Sequence, residues 1–168
     1  MSNVPNVTLM GTAAVLEGLA GHPAVVAIQA WDPQALADAK WDRGELTLTI
    51  VPGKIRAAAA AMQAAGYNFF EDVTAVDWFP STPRFQLSYH LLSHGFKQRI
   101  RLRVMVDGAT PSVESITAVW PAANFYEREV FDLFGISFEG HPNLRRIMMP
   151  DDWEGHPLRR DYPITGYK

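Results

Sequence analysis

Glu127, Glu129 and Asp132 stand within six residues of one another, followed by His141, His156 and two adjacent arginine pairs, Arg145-Arg146 and Arg159-Arg160. Carboxylates at such spacing are the usual material of general acid–base catalysis, and histidines that of metal ligation. Neither chemistry fits the pattern. On a helix Glu127 and Glu129 fall about 160° apart, so they cannot share a site. His141 and His156 are fifteen residues apart, each between Gly and Pro, whereas zinc ligands come at tight spacings, with cysteine or a second histidine nearby. The other histidines are His22, His90 and His94. No Ser-His-Asp pattern, phosphate loop or dinucleotide fingerprint is present. A stand-alone hydrolase built on His141 and His156 is the weakest reading; a protein that binds proteins is the strongest.

The charged cluster lies on a helix expected from Pro121 to Gly135. Proline suits a first helical turn, and glycine the left-handed residue that closes one. Stepping 100° per residue puts Ala122, Tyr126, Val130 and Leu133 on one arc, with Glu129 inside it; Arg128 and Asp132 form an i,i+4 pair elsewhere. A surface helix should separate an apolar stripe from a polar face, and this one does not. Glu129 on the apolar arc needs either a partner or a route to water, and the helix carboxylates are expected to pair with arginines, Arg145 and Arg146 within the chain and others on a partner.

Beyond Gly140 the chain loses periodicity. Pro142, Pro150, Pro157 and Pro163 alternate with turns, and Gly140-His141-Pro142-Asn143-Leu144-Arg145-Arg146 is echoed by Gly155-His156-Pro157-Leu158-Arg159-Arg160. Proline holds itself and the residue before it in extended backbone. Residues 140–168 therefore read as an extended strap after an α+β domain of residues 1–139. The strap carries Leu144, Ile147, Met148, Met149, Trp153, Leu158 and Tyr162, too much apolar surface for a solvated linker. It should lie on its own domain or on another protein.

Glu127-Arg128-Glu129, Asp132, Leu133-Phe134, Gly135, His141, Arg145 and Ile147-Met148, with the closing run Gly155-His156-Pro157-Leu158-Arg159-Arg160-Asp161-Tyr162-Pro163, resemble a known signature. It is that of the thirty-kilodalton subunit family of respiratory complex I, the proton-pumping NADH:quinone oxidoreductase. The likeness reaches upstream through Glu71-Asp72-Val73-Thr74-Ala75-Val76-Asp77 to about Gly66. It implies an accessory subunit of the peripheral arm that binds no cofactor itself. Iron–sulfur clusters, FMN and quinone would belong to neighbouring subunits. The implied partners are the large subunit that helps form the quinone site and the iron–sulfur subunits. The implied place is the cytoplasmic face of the bacterial inner membrane, with membrane attachment through the complex. Glu127, Arg128, Glu129, Asp132, Gly135, His141, Arg145, Arg146, His156, Arg159, Arg160 and Asp161 are the positions carried over as structural and docking residues. Related subunits also serve membrane-bound hydrogenase complexes, which is the alternative.

Composition agrees. The chain has 168 residues, a formal net charge of −3 and no cysteine. That charge gives no basic footprint for nucleic acid, and without cysteine the chain can hold no disulfide and no cysteine-ligated iron–sulfur cluster. No basic region followed by an apolar run opens the sequence, so no signal peptide is expected, and no run approaches the ~20 apolar residues of a membrane span.

Patterning gives the remaining elements. Thr12 is placed to cap a short helix to Ala20. The apolar run Ala24–Trp31 reads as a buried strand, and Asp32-Pro33 opens a connection to Gly44. Glu45–Ile50 alternates as a half-buried strand. Lys54–Ala65 is an alanine-rich helix stopped by Gly66, and Phe70–Trp78 a strand. Arg84–Leu92 and Lys97–Val106 alternate around Ser93-His94-Gly95 and form an antiparallel hairpin. Its second strand puts Lys97, Arg99, Arg101 and Arg103 on one face, either solvated or docked against an acidic surface. The expected architecture is a mixed, largely antiparallel sheet of four to five strands with helices on one face.

Overall fold

A computed structural model describes residues 9–166. In chain order the elements are β1 (Leu9–Met10), α1 (Thr12–Gly18), α2 (Pro23–Trp31), β2 (Leu36–Asp42), β3 (Glu45–Ile50), α3 (Ile55–Ala64), β4 (Phe69–Asp77), β5 (Phe85–Ser93), β6 (Gln98–Val106), β7 (Ser112–Glu114), α4 (Ala123–Phe134) and β8 (Ser137–Glu139). The main sheet runs β1-β2-β3-β6-β5-β4, antiparallel except for the parallel β3–β6 pair. β7 and β8 form a separate parallel ribbon. This is the α+β fold expected, with the short edge strand β1 added to five longer strands.

Register sorts the side chains of the sheet into two faces. Leu46, Leu48 and Ile50 stand beside Ile100, Leu102 and Val104, which stand beside Leu91, Tyr89 and Leu87. These pack with Val15, Ile28, Ile55, Met62, Val130 and Phe134 from the four helices in a single core. The opposite face aligns Thr47 with Arg101 and Thr49 with Arg103. The period of two in each strand creates both faces, and a one-residue slip would exchange them.

Three expectations fail here. Ala24–Trp31 is the body of α2, not a strand. Pro23 sits in the first turn and His22 caps it, its Nδ1 accepting the Ala24 N–H at 3.3 Å. A short continuous apolar run has no periodicity to separate strand from helix. The supposed connection after Asp32 holds β2, whose alanines and aspartates are poor strand formers and whose pairing with β3 supplies the reason to be extended. α1 is shorter than expected and has Gly11, not Thr12, at its cap. The hairpin is as expected, with Ser93 paired to Gln98 across the turn. β7 and β8 are too short to leave a pattern.

Candidate functional site

α4 lies along the edge strand β4 and ends in Gly135, whose φ of 69° closes the helix with an N–H bond to Phe131 O. A side chain at Gly135 would be strained by that backbone. Its Cβ would also sit 2.5 Å from the His156 ring and 2.6 Å from Arg159. Glycine is therefore required twice, by conformation and by the closeness of the strap.

A helix leaves its last carbonyls without partners, and here the strap supplies them. Asp132 O is held by the His156 ring Nδ1 at 2.8 Å. Leu133 O accepts from the Leu158 N–H at 3.0 Å. Phe134 O accepts from Arg159 Nε at 2.6 Å, and Gly135 O from Arg159 Nη2 at 3.3 Å. A guanidinium at the negative end of the helix dipole adds to the attraction.

Asp132 is the second fixing point. It is fully buried, with Oδ1 accepting from Arg146 Nη1 at 2.6 Å and Oδ2 from the N–H groups of Ile147, Met148 and Met149 at 2.8–2.9 Å. Burial would raise its pKa, but these N–H groups and Arg146 outweigh it and hold the carboxyl below its ordinary range. Arg146 also donates to Trp153 O and Gly155 O. From the helix side Arg128 donates to the carbonyls of Arg145 and Arg146.

Glu127, also fully buried, is bonded to no arginine. It accepts from Ser115 Oγ at 2.6 Å and from the Ile116 N–H at 2.7 Å, which ties α4 to the segment after β7. Burial pushes its pKa up to about 7, although both bonds favour the charged form. His141 Nε2 lies 4.0 Å from Glu127, donates to Asn124 O at 3.2 Å, and its Nδ1 accepts the Asn143 N–H at 3.0 Å. These partners fix a neutral ring, and burial lowers its pKa. His156 is lowered for the same first reason.

The sequence reading of α4 needs two corrections. Glu129 is exposed and Glu127 is the buried carboxylate, because the face packed on the sheet is Ala123, Glu127, Val130 and Phe134. Arg145 does not pair with a helix carboxylate; it offers only its carbonyl, to Arg128. Arg99, Arg101 and Arg103, the candidates for docking against an acidic surface, are matched within the chain to Glu71, Glu45 and Asp38.

Asp77 and Arg84 were not among the candidate residues, yet they fix the far end of the strap. Arg84 makes two bonds each to Asp77 and Asp161 at 2.6–3.0 Å, and Asp77 Oδ2 also accepts the Arg160 N–H at 2.9 Å. Burial acts to raise Asp77, but Arg84 and the Arg160 and Phe79 N–H groups win and hold it down to about 2. No spacing signals contacts between residues 77 to 83 positions apart. Ser115 was missed for a related reason: a serine in a connection carries no mark of a buried acceptor.

Among the described residues no group of three His, Asp or Glu side chains could hold a metal ion, and no single helix is long and apolar enough to cross a membrane. The strap and α4 also leave large apolar side chains open. Phe125 and Met148 are each 62% exposed and Leu158 is 51% exposed, with Ile147, Trp153 and Ile164 also open.

A family model described as respiratory-chain NADH dehydrogenase, 30 Kd subunit, matches residues 48–168. The chain belongs to that family. The NADH-quinone oxidoreductase C subunit of Roseiflexus castenholzii is 46% identical over 147 residues, covering 85% of this chain and 84% of the relative. That of Citrifermentans bemidjiense is 46% identical over 144 residues, covering 85% and 89%. The trypsin-resistant fragment (1-134) of Nqo5 superposes with a TM-score of 0.56 at 37% identity, over 60% of this chain and 83% of the fragment. A chain of the membrane-bound sulfane sulfur reductase, an archaeal respiratory membrane complex, gives 0.75 at 27% identity over 86% of both. Glu127, Asp132, Gly135, His141 and the two arginine pairs of this 30 kDa family chain all lie within the matched region.

Proposed function

We propose that this chain is a structural subunit of NADH:quinone oxidoreductase that binds no cofactor, and that α4 and the strap form its docking surface. The relatives, named as the C subunit of that enzyme, support the assembly, an oxidoreductase complex in the respiratory membrane. One observation carries the docking surface. Arg146, His156 and Arg159 and several backbone N–H groups of the strap are turned inward onto α4 and Asp77, while Phe125 of α4 and Met148, Leu158 and Ile164 of the strap face out. A chain working alone would place those groups the other way, because exposed apolar side chains clustered on one ordered segment mark a contact with another protein. The partner we assign is the large subunit that helps form the quinone site, with iron–sulfur subunits adjacent, on the cytoplasmic side of the membrane.

Affinity purification of a tagged chain from membranes, followed by mass spectrometry, is expected to return those subunits. Hydroxyl-radical footprinting then addresses the surface. Met148, Phe125 and Leu158 should react readily in the isolated chain and be protected in the complex. Equal reactivity in both states would sink the docking reading.

A further inference from the structure

The strap holds arginines in two adjacent pairs, and the structure treats the members of each pair oppositely. Arg146 is bonded to Asp132, Trp153 O and Gly155 O, and Arg159 to Phe134 O and Gly135 O. Arg145 and Arg160 are exposed, and neither guanidinium is bonded to another described residue. Yet the backbone beneath each is clamped. Arg145 O accepts from Arg128 Nε at 3.1 Å, and the Arg160 N–H donates to Asp77 at 2.9 Å. Asp151, Asp152 and Glu154 are exposed in the same strap and engage neither one. Outside the strap Arg84, Arg99, Arg101 and Arg103 have carboxylate partners, whereas Arg43 is exposed without one among the described residues.

We infer that Arg145 and Arg160 are the polar anchors of the docking surface, each receiving a carboxylate of the neighbouring subunit at the edge of the apolar contact made by Met148 and Leu158. This rests on the docking reading above. A guanidinium carried on clamped backbone is presented from a fixed position, and its planar fork suits a carboxylate. An anionic lipid surface is the poorer fit, since Asp151, Asp152 and Glu154 would be pressed against it.

The test uses the whole complex in membranes. R145E and R160E are each expected to lower incorporation of the chain, measured on native gels, by about tenfold or more, while leaving the thermal midpoint of the isolated chain unchanged. R145K and R160K should assemble and form zero-length carbodiimide cross-links to acidic residues of the neighbouring subunit. If both reversals incorporate like wild type while M148D and L158D do not, the arginine assignment falls and docking stands. If all four incorporate normally, docking falls with it. A lowered midpoint for R145E would place its guanidinium within the chain and overturn the assignment. So would binding of the isolated chain to phosphatidylglycerol vesicles that R145E and R160E abolish.

Discussion

The molecule has two arginine-rich surfaces, and they are built on different supports. On the open face of the sheet, Arg99, Arg101 and Arg103 meet Glu71, Glu45 and Asp38, and Arg101 also touches His90. Along the strap, Arg146 and Arg159 turn inward and Arg145 and Arg160 do not. A sheet lines up the side chains of one face in rows, so a long arginine of β6 reaches an acid on the next strand, as Arg101 does Glu45 on β3, or across one strand, as Arg99 does Glu71 on β4 and Arg103 does Asp38 on β2. A strap has no ladder. Its partners are the spare carbonyls of α4 and two buried carboxylates, Asp132 and Asp77. Once those are used, Arg145 and Arg160 are left facing solvent. The sheet face thus matches Arg99, Arg101 and Arg103 within the chain, and the strap leaves Arg145 and Arg160 unmatched among the described residues.

Breaking Asp132 should separate the two surfaces most clearly. Asp132→Ala removes the acceptor of three N–H groups and strands Arg146, a loss of about 3–5 kcal/mol for a broken buried pair. Denaturant unfolding should show it, and trypsin should then cut after Arg145 and Arg146. A loss no greater than that of a sheet-face pair would mean that the two regions do not differ.

Glu127 gives a pH test of the helix side. Its pKa lies near 7 folded and 4.5 as an ordinary carboxyl. A raised acid keeps its proton longer in the folded state, so stability is greatest below about 4.5 and falls as pH rises towards 7, by about 3 kcal/mol. Glu127→Gln, able to accept from the Ile116 N–H and donate to Ser115, should flatten that slope between pH 5 and 7. An unchanged slope would exclude Glu127 as its source.

Asp77 works in the opposite sense. Its pKa is depressed from 3.8 to about 2, so its contribution is present above pH 3.8 and is lost as pH falls towards 2, by about 2 kcal/mol. Protection of the Arg160 N–H against hydrogen exchange, taken relative to the intrinsic rate at each pH, should fall in that window before the sheet opens, and unchanged protection would contradict the clamp. The smallest effect belongs to the sheet face. The Arg99–Glu71 pair is largely open to water, with 56% of the Arg99 side chain exposed, and Arg99→Ala should cost less than about 1 kcal/mol by thermal unfolding.

Local features were legible. Gly135 closes α4 where a left-handed residue was expected, and the β5–β6 hairpin follows from two alternating runs around a short turn. α2 was misread, because its apolar run lacks a period and only the cap at His22 and Pro23 marks a helix. On α4 the wheel separated Glu127 from Glu129 correctly but put Glu129, which reaches water, on the apolar arc and gave no sign that Glu127 is buried. A wheel gives angles between residues, whereas the direction that faces β4 is set by packing. The signature residues were visible as a group, but their division into inward and outward members was not.

Sequence by itself determined the α+β class, the strand faces, the C-terminal end of α4 and the family, since each depends on residue type and short spacing. Tertiary structure alone decided that Asp132 gathers the N–H groups of residues 147–149, that Arg84 joins Asp77 to Asp161, and that Arg145 and Arg160 remain open. The reason is physical. Periodicity records which way a side chain points on its own element, and carries no information about which distant carbonyl or carboxylate the folded chain brings within hydrogen-bonding reach.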